Sequence, residues 1–203
     1  MDMSLARNQY AVLPKEYGEF LMPKIEPSIL PKSFDAFKKF CDHLLTSNVK
    51  FALGGSALLA HYGLADSVAD WDITTDEPES VLRQVLKPYN YSLGSKKMEY
   101  ATKFNYKIQL ESDTVDLMGS FAFRTELGIC HIPTVVCGNW NNIPLGSLEA
   151  WAVAYRLLGR DKRADDIFSY FQKSGSKLDI ILKLLEQPLP HVLRQELIIL
   201  KNL

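Results

Sequence analysis

Two aspartates separated by one residue, Asp70 and Asp72, have the clearest capacity for chemistry in this 203-residue chain. In a strand, residues two apart point to the same face, so both carboxylates would lie together, with Trp71 and Ile73 on the other face. Two carboxylates on one face repel each other unless a cation lies between them, and Mg²⁺ prefers oxygen ligands. The pattern therefore allows two interpretations, a divalent-metal site or a solvated strand that carries two unrelated aspartates.

A third acid, Asp116, lies in the apolar run from Val115 to Met118. Burying a lone carboxylate is costly unless the group is paired or bound to a metal. If this strand lies beside the strand of Asp70 and Asp72, three carboxylates converge. Such a set holds the two metal ions of an in-line displacement at phosphorus.

Two glycines and a serine, Gly54, Gly55 and Ser56, lie between an apolar run and a short predicted helix. Glycine lets a ligand approach the backbone closely, and the first N–H groups of a helix attract phosphate. The same residues also occur in ordinary strand-to-helix turns, so this pattern alone leaves both interpretations open.

These residues need a framework of strands and helices to position them, and the hydrophobic spacing predicts one. The predicted helices are 34–47, 56–62 and 79–86, the predicted strands are 49–53, 70–75, 104–110, 114–118 and 132–136, and helical spacing dominates after residue 146. We expect an α/β (α+β) fold with a mixed-sheet core and a C-terminal helical unit. The expected organisation is a proline-containing arm over 1–31, a core over 32–140 and the helical unit over 141–203.

Composition narrows the classes of function. The formal net charge of −1 excludes binding of nucleic acid through a bulk positive charge. Three cysteines are too few for a disulfide framework, and Cys130, His131 and Cys137 lack the further pair that would complete a zinc site. The sequence shows neither a signal-peptide pattern nor an apolar run long enough to span a membrane, so we expect a cytoplasmic protein with no membrane partner.

The order of these motifs resembles that of the nucleotidyltransferase superfamily: Gly-Gly-Ser, then 13 residues, then Asp-x-Asp, then a later strand aspartate. Residues 146–167 are similar to the helical segment of two branches, the AbiEii-type toxin nucleotidyltransferases and the lincosamide nucleotidyltransferases. The resemblance extends over about residues 34–172. It implies a nucleotidyltransferase core that transfers a nucleoside monophosphate from an NTP to a hydroxyl group, with Mg²⁺ or Mn²⁺ as cofactor.

The resemblance also implies roles for individual residues. Gly54, Gly55 and Ser56 would bind the triphosphate of the NTP. The catalytic and metal-binding acids would be Asp70, Asp72 and Asp116, of which Asp116 would activate the acceptor hydroxyl.

A further cation, Arg156, stands where relatives often carry a lysine in the first C-terminal helix. Its fork-shaped guanidinium suits a phosphate or carboxylate, so it is a candidate ligand of the nucleotide or acceptor. The alternative is an ion pair with a nearby helix acid. For Arg160, Lys162 and Arg163 we expect mainly pairs with acids four residues away on the same helix. Four lysines are weaker candidates for phosphate or acceptor contacts: Lys96, Lys97, Lys103 and Lys107.

The sequence leaves the acceptor open: an RNA end, a protein side chain and a small hydroxylated molecule all fit. It also leaves the oligomeric state open. A second class of function is a catalytically silent nucleotidyltransferase-fold binding module, such as an antitoxin or a regulatory partner. Its support is the segment 65–68, which lacks the basic residue that many relatives carry there.

Overall fold

The computed structural model describes residues 29–31, 33–94 and 98–202. The arm predicted over residues 1–31 therefore lies outside the described residues, except for its last three. The elements in chain order are α1 (Phe34–Thr46), β1 (Ala52–Leu53), α2 (Gly55–His61), β2 (Trp71–Thr75), α3 (Glu79–Val85), β3 (Tyr91–Leu93), β4 (Phe104–Leu110), β5 (Asp113–Gly119), β6 (Ala122–Thr125), β7 (Gly128–His131), β8 (Gly138–Trp140), β9 (Ile143–Leu145), α4 (Leu148–Leu157), α5 (Asp161–Ser174), α6 (Leu178–Leu185) and α7 (His191–Lys201).

A mixed sheet forms the centre of the core, with the strand order β3-β4-β5-β2-β1-β9-β8. Strands β2 and β5 are parallel, as are β1 and β9, whereas the other neighbouring strands are antiparallel. Strands β6 and β7 form a separate antiparallel pair. The predicted α/β class is confirmed, and the main sheet continues through β9 to Leu145, just before the helical unit.

Alternation along β2 separates a buried apolar face from an acidic one. Trp71 and Ile73 are fully buried. The indole of Trp71 stacks on the ring of Phe37 in α1 at a centroid distance of 4.0 Å and an interplanar angle of 5°. Because residues two apart share a face, Asp72 points away from this packing, as the alternation predicted.

Ser33 precedes α1 and anchors it to β2. Its side chain makes no capping bond to the helix. Instead the Ser33 hydroxyl accepts a hydrogen bond of 3.3 Å from Nε1 of Trp71. Since both groups are buried, this bond satisfies the indole N–H inside the core.

The helical unit begins where the spacing of apolar residues changes. Ser147 caps α4, because its hydroxyl accepts a hydrogen bond of 2.9 Å from the Ala150 N–H. The buried carboxylate of Glu149 accepts a bond of 2.8 Å from the Lys177 N–H at the start of α6. Four helices follow residue 146 in the part of the chain that the structure describes, which confirms the predicted change to helix.

One predicted strand, over residues 132–136, is wrong. Pro133 has no N–H to give to a ladder, and the neighbouring donors are used elsewhere. The Ile132 N–H donates to the Phe121 carbonyl at 2.8 Å, and the Thr134 N–H donates to the Asp76 carboxylate at 3.0 Å. These bonds hold the segment as an irregular connection between β7 and β8.

Across the described ranges, every helix is too short or too polar to cross a membrane.

Candidate active site

Three carboxylates meet at the centre of the sheet. Asp72 on β2 lies directly opposite Asp116 on β5 in the parallel register, and Asp70 immediately precedes β2. Ligand oxygens from all three acids lie within 4.8 Å of one another. The structure thus brings together the three acids that the sequence singled out.

Burial and repulsion between carboxylates raise the pKa of Asp72 and of Asp116. Burial, followed by the charges of Asp70 and Asp116, raises the pKa of Asp72 from 3.8 to about 7. Burial also raises the pKa of Asp116, against the opposing charge of Lys107. Carboxylates held this closely repel one another, and a cation between them favours their joint ionisation.

The donor set fits a hard divalent cation. Asp116 Oδ1 is buried and has no hydrogen-bond partner among the described residues. Nζ of Lys107 lies 3.7 Å from it, an ion-pair distance beyond hydrogen-bonding range. Asp70 is exposed, so the group is open on one side to water and substrate oxygens. Carboxylate oxygens with such access are the ligands that Mg²⁺ takes in phosphate-transferring sites.

Gly55 brings the backbone turn after β1 directly against the acids. Its φ is +58°, which favours glycine, and a Cβ there would overlap the Asp72 carboxylate. The Gly54 N–H donates to the Asp72 carbonyl at 2.9 Å, and a Cβ at Gly54 would overlap the indole of Trp151. Gly54 therefore holds the turn in place, while Gly55 and the following Ser56 lead into α2 beside the acids.

The hydroxyl of Ser56 contacts the segment that directly precedes Asp70. It accepts a hydrogen bond of 3.4 Å from the Ala69 N–H, next to Asp70. Ser56 is buried. Its position ties the turn to the segment that presents the first aspartate.

Two arginines of the α5 region lie near enough to the acids for their charges to act on Asp72. Arg163 Nη1 donates to the Tyr155 hydroxyl at 3.3 Å, and the guanidinium groups of Arg163 and Arg160 lie 5.4 and 6.0 Å from the Tyr155 ring centre. The charges of both arginines lower the pKa of Asp72, against the effect of burial. Burial raises the pKa of Tyr155 to about 12, so its hydroxyl stays protonated.

The expectation of same-helix pairs therefore holds for Lys162 but not for its neighbours. Lys162 pairs with Asp166 at 3.0 Å. No carboxylate of the described residues lies within 4.0 Å of Arg160 or Arg163, which leaves both guanidinium groups available to an anion. The sequence signal was their spacing of three, which places both on one face of a helix and Lys162 on another.

Comparisons with known proteins bear on the fold. No protein-family model matches the chain, and no curated protein matches it. Among solved structures, a candidate nucleotidyltransferase (TM1012) from Thermotoga maritima matches with a TM-score of 0.51 and 22% identity, over 68% of this chain and 92% of that one. The chain has the nucleotidyltransferase fold. The solution structure of the antibiotic-resistance factor ANT(2'')-Ia is also similar, with a TM-score of 0.49 and 13% identity, over 83% of this chain and 88% of that one.

The recognition of a nucleotidyltransferase fold from the motif order is confirmed. Its placement in the AbiEii-type or lincosamide-type branch stays a prediction.

Arg156 is not brought to the acids of this nucleotidyltransferase fold. Its guanidinium bonds to Asp161 at 2.9 Å, to Asp165 at 2.7 Å and to Glu196 at 2.8 Å. The same group lies 5.5 Å from the ring centre of Phe168. These contacts join α4, α5 and α7, and they correspond to the ion-pair alternative that the sequence left open.

Three further histidine and tryptophan side chains, those of His61, Trp71 and Trp151, are buried. Cys130 and Cys137 are free thiols. Two of the four candidate lysines, Lys96 and Lys97, lie outside the described residues.

Proposed function

We propose that this protein is a metal-dependent nucleotidyltransferase that transfers a nucleoside monophosphate from an NTP to a hydroxyl acceptor. The observation that carries the proposal is the convergence of Asp70, Asp72 and Asp116 within 4.8 Å, beside Gly55, on a nucleotidyltransferase fold. Three carboxylates at one edge of a backbone turn suit the joint recognition of divalent cations and phosphates.

The three aspartates would hold Mg²⁺ or Mn²⁺. When bound, the cation supplies charge neutralisation at the phosphates and aligns the attacking and leaving oxygens. This assignment accounts for the buried Asp116 Oδ1 that has no hydrogen-bond partner within the described ranges. A bound cation would also offset the raised pKa of Asp72, because a positive charge among the carboxylates favours their ionised forms.

The triphosphate would lie between the turn and α5. The N–H groups of Gly55 and Ser56 open α2, where the first donors of a helix have no partner in the helix itself. Arg160 and Arg163, whose charges act on Asp72, would supply two positive charges from the helical unit. Fixed donors around the β- and γ-phosphates would stabilise the charge that accumulates on departing pyrophosphate.

Asp116 is suited to receive the acceptor's proton. Burial raises its pKa, which favours proton uptake, and a bound cation would offset part of that rise. The acceptor oxygen forms a bond to the α-phosphorus as its proton passes to Asp116. The bond from the α-phosphorus to the bridging oxygen breaks, and pyrophosphate leaves with that electron pair. Positioning and charge stabilisation would supply most of the rate enhancement.

The test uses NTPs labelled at the α-phosphate, with Mg²⁺ and a panel of hydroxylated small molecules, RNAs and proteins. We expect pyrophosphate release matched by transfer of the label, with Asp70→Ala and Asp72→Ala slower by about a thousandfold or more. Asp66→Ala is the matched control, because Asp66 is an exposed aspartate on the same connecting segment. Release of γ-phosphate instead of pyrophosphate, or full activity in Asp72→Ala, would contradict the proposal. NTP binding without turnover on any acceptor would favour a silent binding module.

A further inference from the structure

A cavity of about 730 Å³ lies where β4 begins and β5 ends. Its lining includes Tyr100, Thr102, Lys103, Asn105 and Arg124. A volume of this size is typical of pockets that enclose a small molecule.

The cavity adjoins the acidic face of the sheet. Met118, which lines the cavity, lies two residues after Asp116 on β5 and therefore shares its face. Asn105 pairs with Met118 across β4 and β5, just as Lys107 pairs with Asp116. The charges of Asp72 and Asp116 contribute to a raised pKa at Tyr100, which burial causes in the first place. A molecule against Met118 thus lies on the same face of β5 as Asp116, two residues further along the strand.

The strand order places the cavity and the glycine turn on opposite sides of the acids. Gly55 follows β1, the acids lie on β2 and β5, and the cavity adjoins β4. Displacement at phosphorus requires the attacking and leaving oxygens to be roughly in line on opposite sides of the phosphorus. With the triphosphate at the turn, attack comes from the side of the cavity.

The cavity carries a net positive charge. Its only acid within the described residues, Glu79, is neutralised by Arg83 in an ion pair of 2.6 Å. No carboxylate in the described part of the chain lies within 4.0 Å of the charged groups of Lys103 and Arg124. The amide oxygen of Asn105 is buried without a hydrogen-bond partner in the same part of the chain, so it can accept a bond from a ligand hydroxyl.

We infer that this cavity binds the acceptor, and that the acceptor is a small hydroxylated molecule carrying a phosphate or carboxylate group. The inference rests on the proposed nucleotidyl transfer, whose bond changes are those given above. Lys103 and Arg124 bind the anionic group, and Asn105 accepts a hydrogen bond from a hydroxyl. With the three aspartates occupied by a divalent cation, the positively charged lining would disfavour an aminated, polycationic acceptor. A net charge of −1 over the whole chain gives little support to an extended RNA footprint.

The test compares acceptors that differ in charge on one scaffold. Pyrophosphate release is measured with glucose 6-phosphate and gluconate as anions, with glucose as the neutral parent and with glucosamine as the cation. Pools of sugar phosphates, sugar acids, neutral sugars and aminosugars widen each class, and RNA and protein acceptors are run beside them. We expect anionic pools to stimulate release by about tenfold or more over the neutral and cationic pools.

Variants of the cavity cations separate acceptor binding from nucleotide binding. The double variant Lys103→Ala/Arg124→Ala should raise the KM for the anionic acceptor by about tenfold or more. Its Kd for Mg²⁺-NTP should stay at the wild-type value. Both side chains are exposed, so their removal should leave the melting temperature unchanged. Lys183→Ala, an exposed lysine on α6 outside the cavity, is the matched control.

If Mg²⁺-NTP still binds, four outcomes overturn the inference. In three of them, pyrophosphate release is stimulated by the neutral or cationic pools, by RNA or protein alone, or by no pool at all. The fourth outcome is an unchanged acceptor KM in the double variant. Loss of NTP binding by the wild-type protein is a different result, because it contradicts the proposed function itself. Binding of glucose 6-phosphate without nucleotide, measured by NMR titration and abolished in the double variant, would then still support an anion-binding cavity.

Discussion

Asp72 and Asp116 lie opposite each other in register on two parallel strands, although a helix and two further strands separate them along the chain. On the other face of the same strands, Trp71 pairs with Val115 and Ile73 with Leu117, and all four side chains are fully buried. A shift of one residue in this register would exchange the acidic and apolar faces. The packing that fixes the register therefore also fixes the distance between the two carboxylates.

Replacing Gly55 tests the close approach of the turn to the acids. Gly55→Ala places a methyl group against the Asp72 carboxylate and strains a φ of +58°. We expect loss of measurable Mg²⁺-NTP binding and a fall of about 1–3 kcal/mol in the free energy of unfolding. Calorimetric titration and denaturant unfolding measure the two effects.

The control for this prediction is Gly175→Ala. Gly175 has a φ of +74°, but a Cβ there would meet no atom within 4 Å. The Gly175→Ala variant has the same kind of backbone strain but no overlap with another side chain. It should therefore lose some stability and keep nucleotide binding. Equal losses of binding in both variants would show that general destabilisation, not the overlap with Asp72, causes the effect.

The raised pKa of Asp72 predicts a pH-dependent penalty on folding in the absence of metal. In the unfolded chain the carboxyl loses its proton near its ordinary pKa of 3.8, whereas in the folded chain it does so near 7. The folded state therefore holds more protons between these values, and the free energy of unfolding falls as pH rises from about 4 to about 7.

Asp72→Asn removes this penalty. In EDTA at pH 8 we expect the variant to be more stable than the wild type by on the order of 2 kcal/mol, with the difference shrinking toward pH 4. Urea unfolding across the pH range measures it. Asp66→Asn, which changes an exposed aspartate, should follow the wild-type curve. A constant difference between Asp72→Asn and wild type at all pH values would contradict the raised pKa of this half-buried carboxylate.

The two arginines whose charges act on Asp72 are expected to bind phosphate. Arg160→Ala and Arg163→Ala should each raise the Kd for Mg²⁺-NTP by about tenfold, roughly 1.4 kcal/mol, with a smaller effect on a nucleoside monophosphate. Lys162→Ala is the control, because Lys162 lies between them and pairs with Asp166. If Lys162→Ala weakens binding as much as its neighbours do, the effect reflects general charge rather than a specific contact.

Arg156 is expected to stabilise the helical unit and to take no part in nucleotide binding. Its guanidinium bonds to Asp161, Asp165 and Glu196, and the first two acids are largely exposed. Arg156→Ala should lower the free energy of unfolding by about 1 kcal/mol, since exposed pairs contribute little each. The Kd for Mg²⁺-NTP should stay at the wild-type value, and a tenfold rise would return Arg156 to the site.

Local patterns predicted the acid group well. The alternation around Asp72 and the apolar run around Asp116 defined two strands whose faces the structure confirms. The motif order supplied the expectation that these strands are neighbours, because hydrophobic spacing alone specifies which residues are buried and not which strands pair.

The tertiary contacts of the cations could not be predicted in the same way. Arg156, Arg160 and Arg163 have the same charge and lie within eight residues of one another. Their roles are decided by what packs around them: Glu196 of α7 bonds to the first, and Tyr155 of α4 orients the others. The strand predicted over 132–136 failed for a related reason, because distant partners such as the Asp76 carboxylate took its donors.

The central claim is that the three aspartates bind a nucleotide through a divalent cation. Isothermal titration with each of the four NTPs, in Mg²⁺ and in EDTA, tests it without knowledge of the acceptor. We expect micromolar binding of at least one NTP in Mg²⁺, weaker by about a hundredfold in EDTA. That binding should be lost in folded Asp70→Ala and Asp72→Ala and kept in Asp66→Ala. Binding that is indifferent to Mg²⁺ and to both variants, or no binding of any NTP by the wild-type protein, would contradict the account.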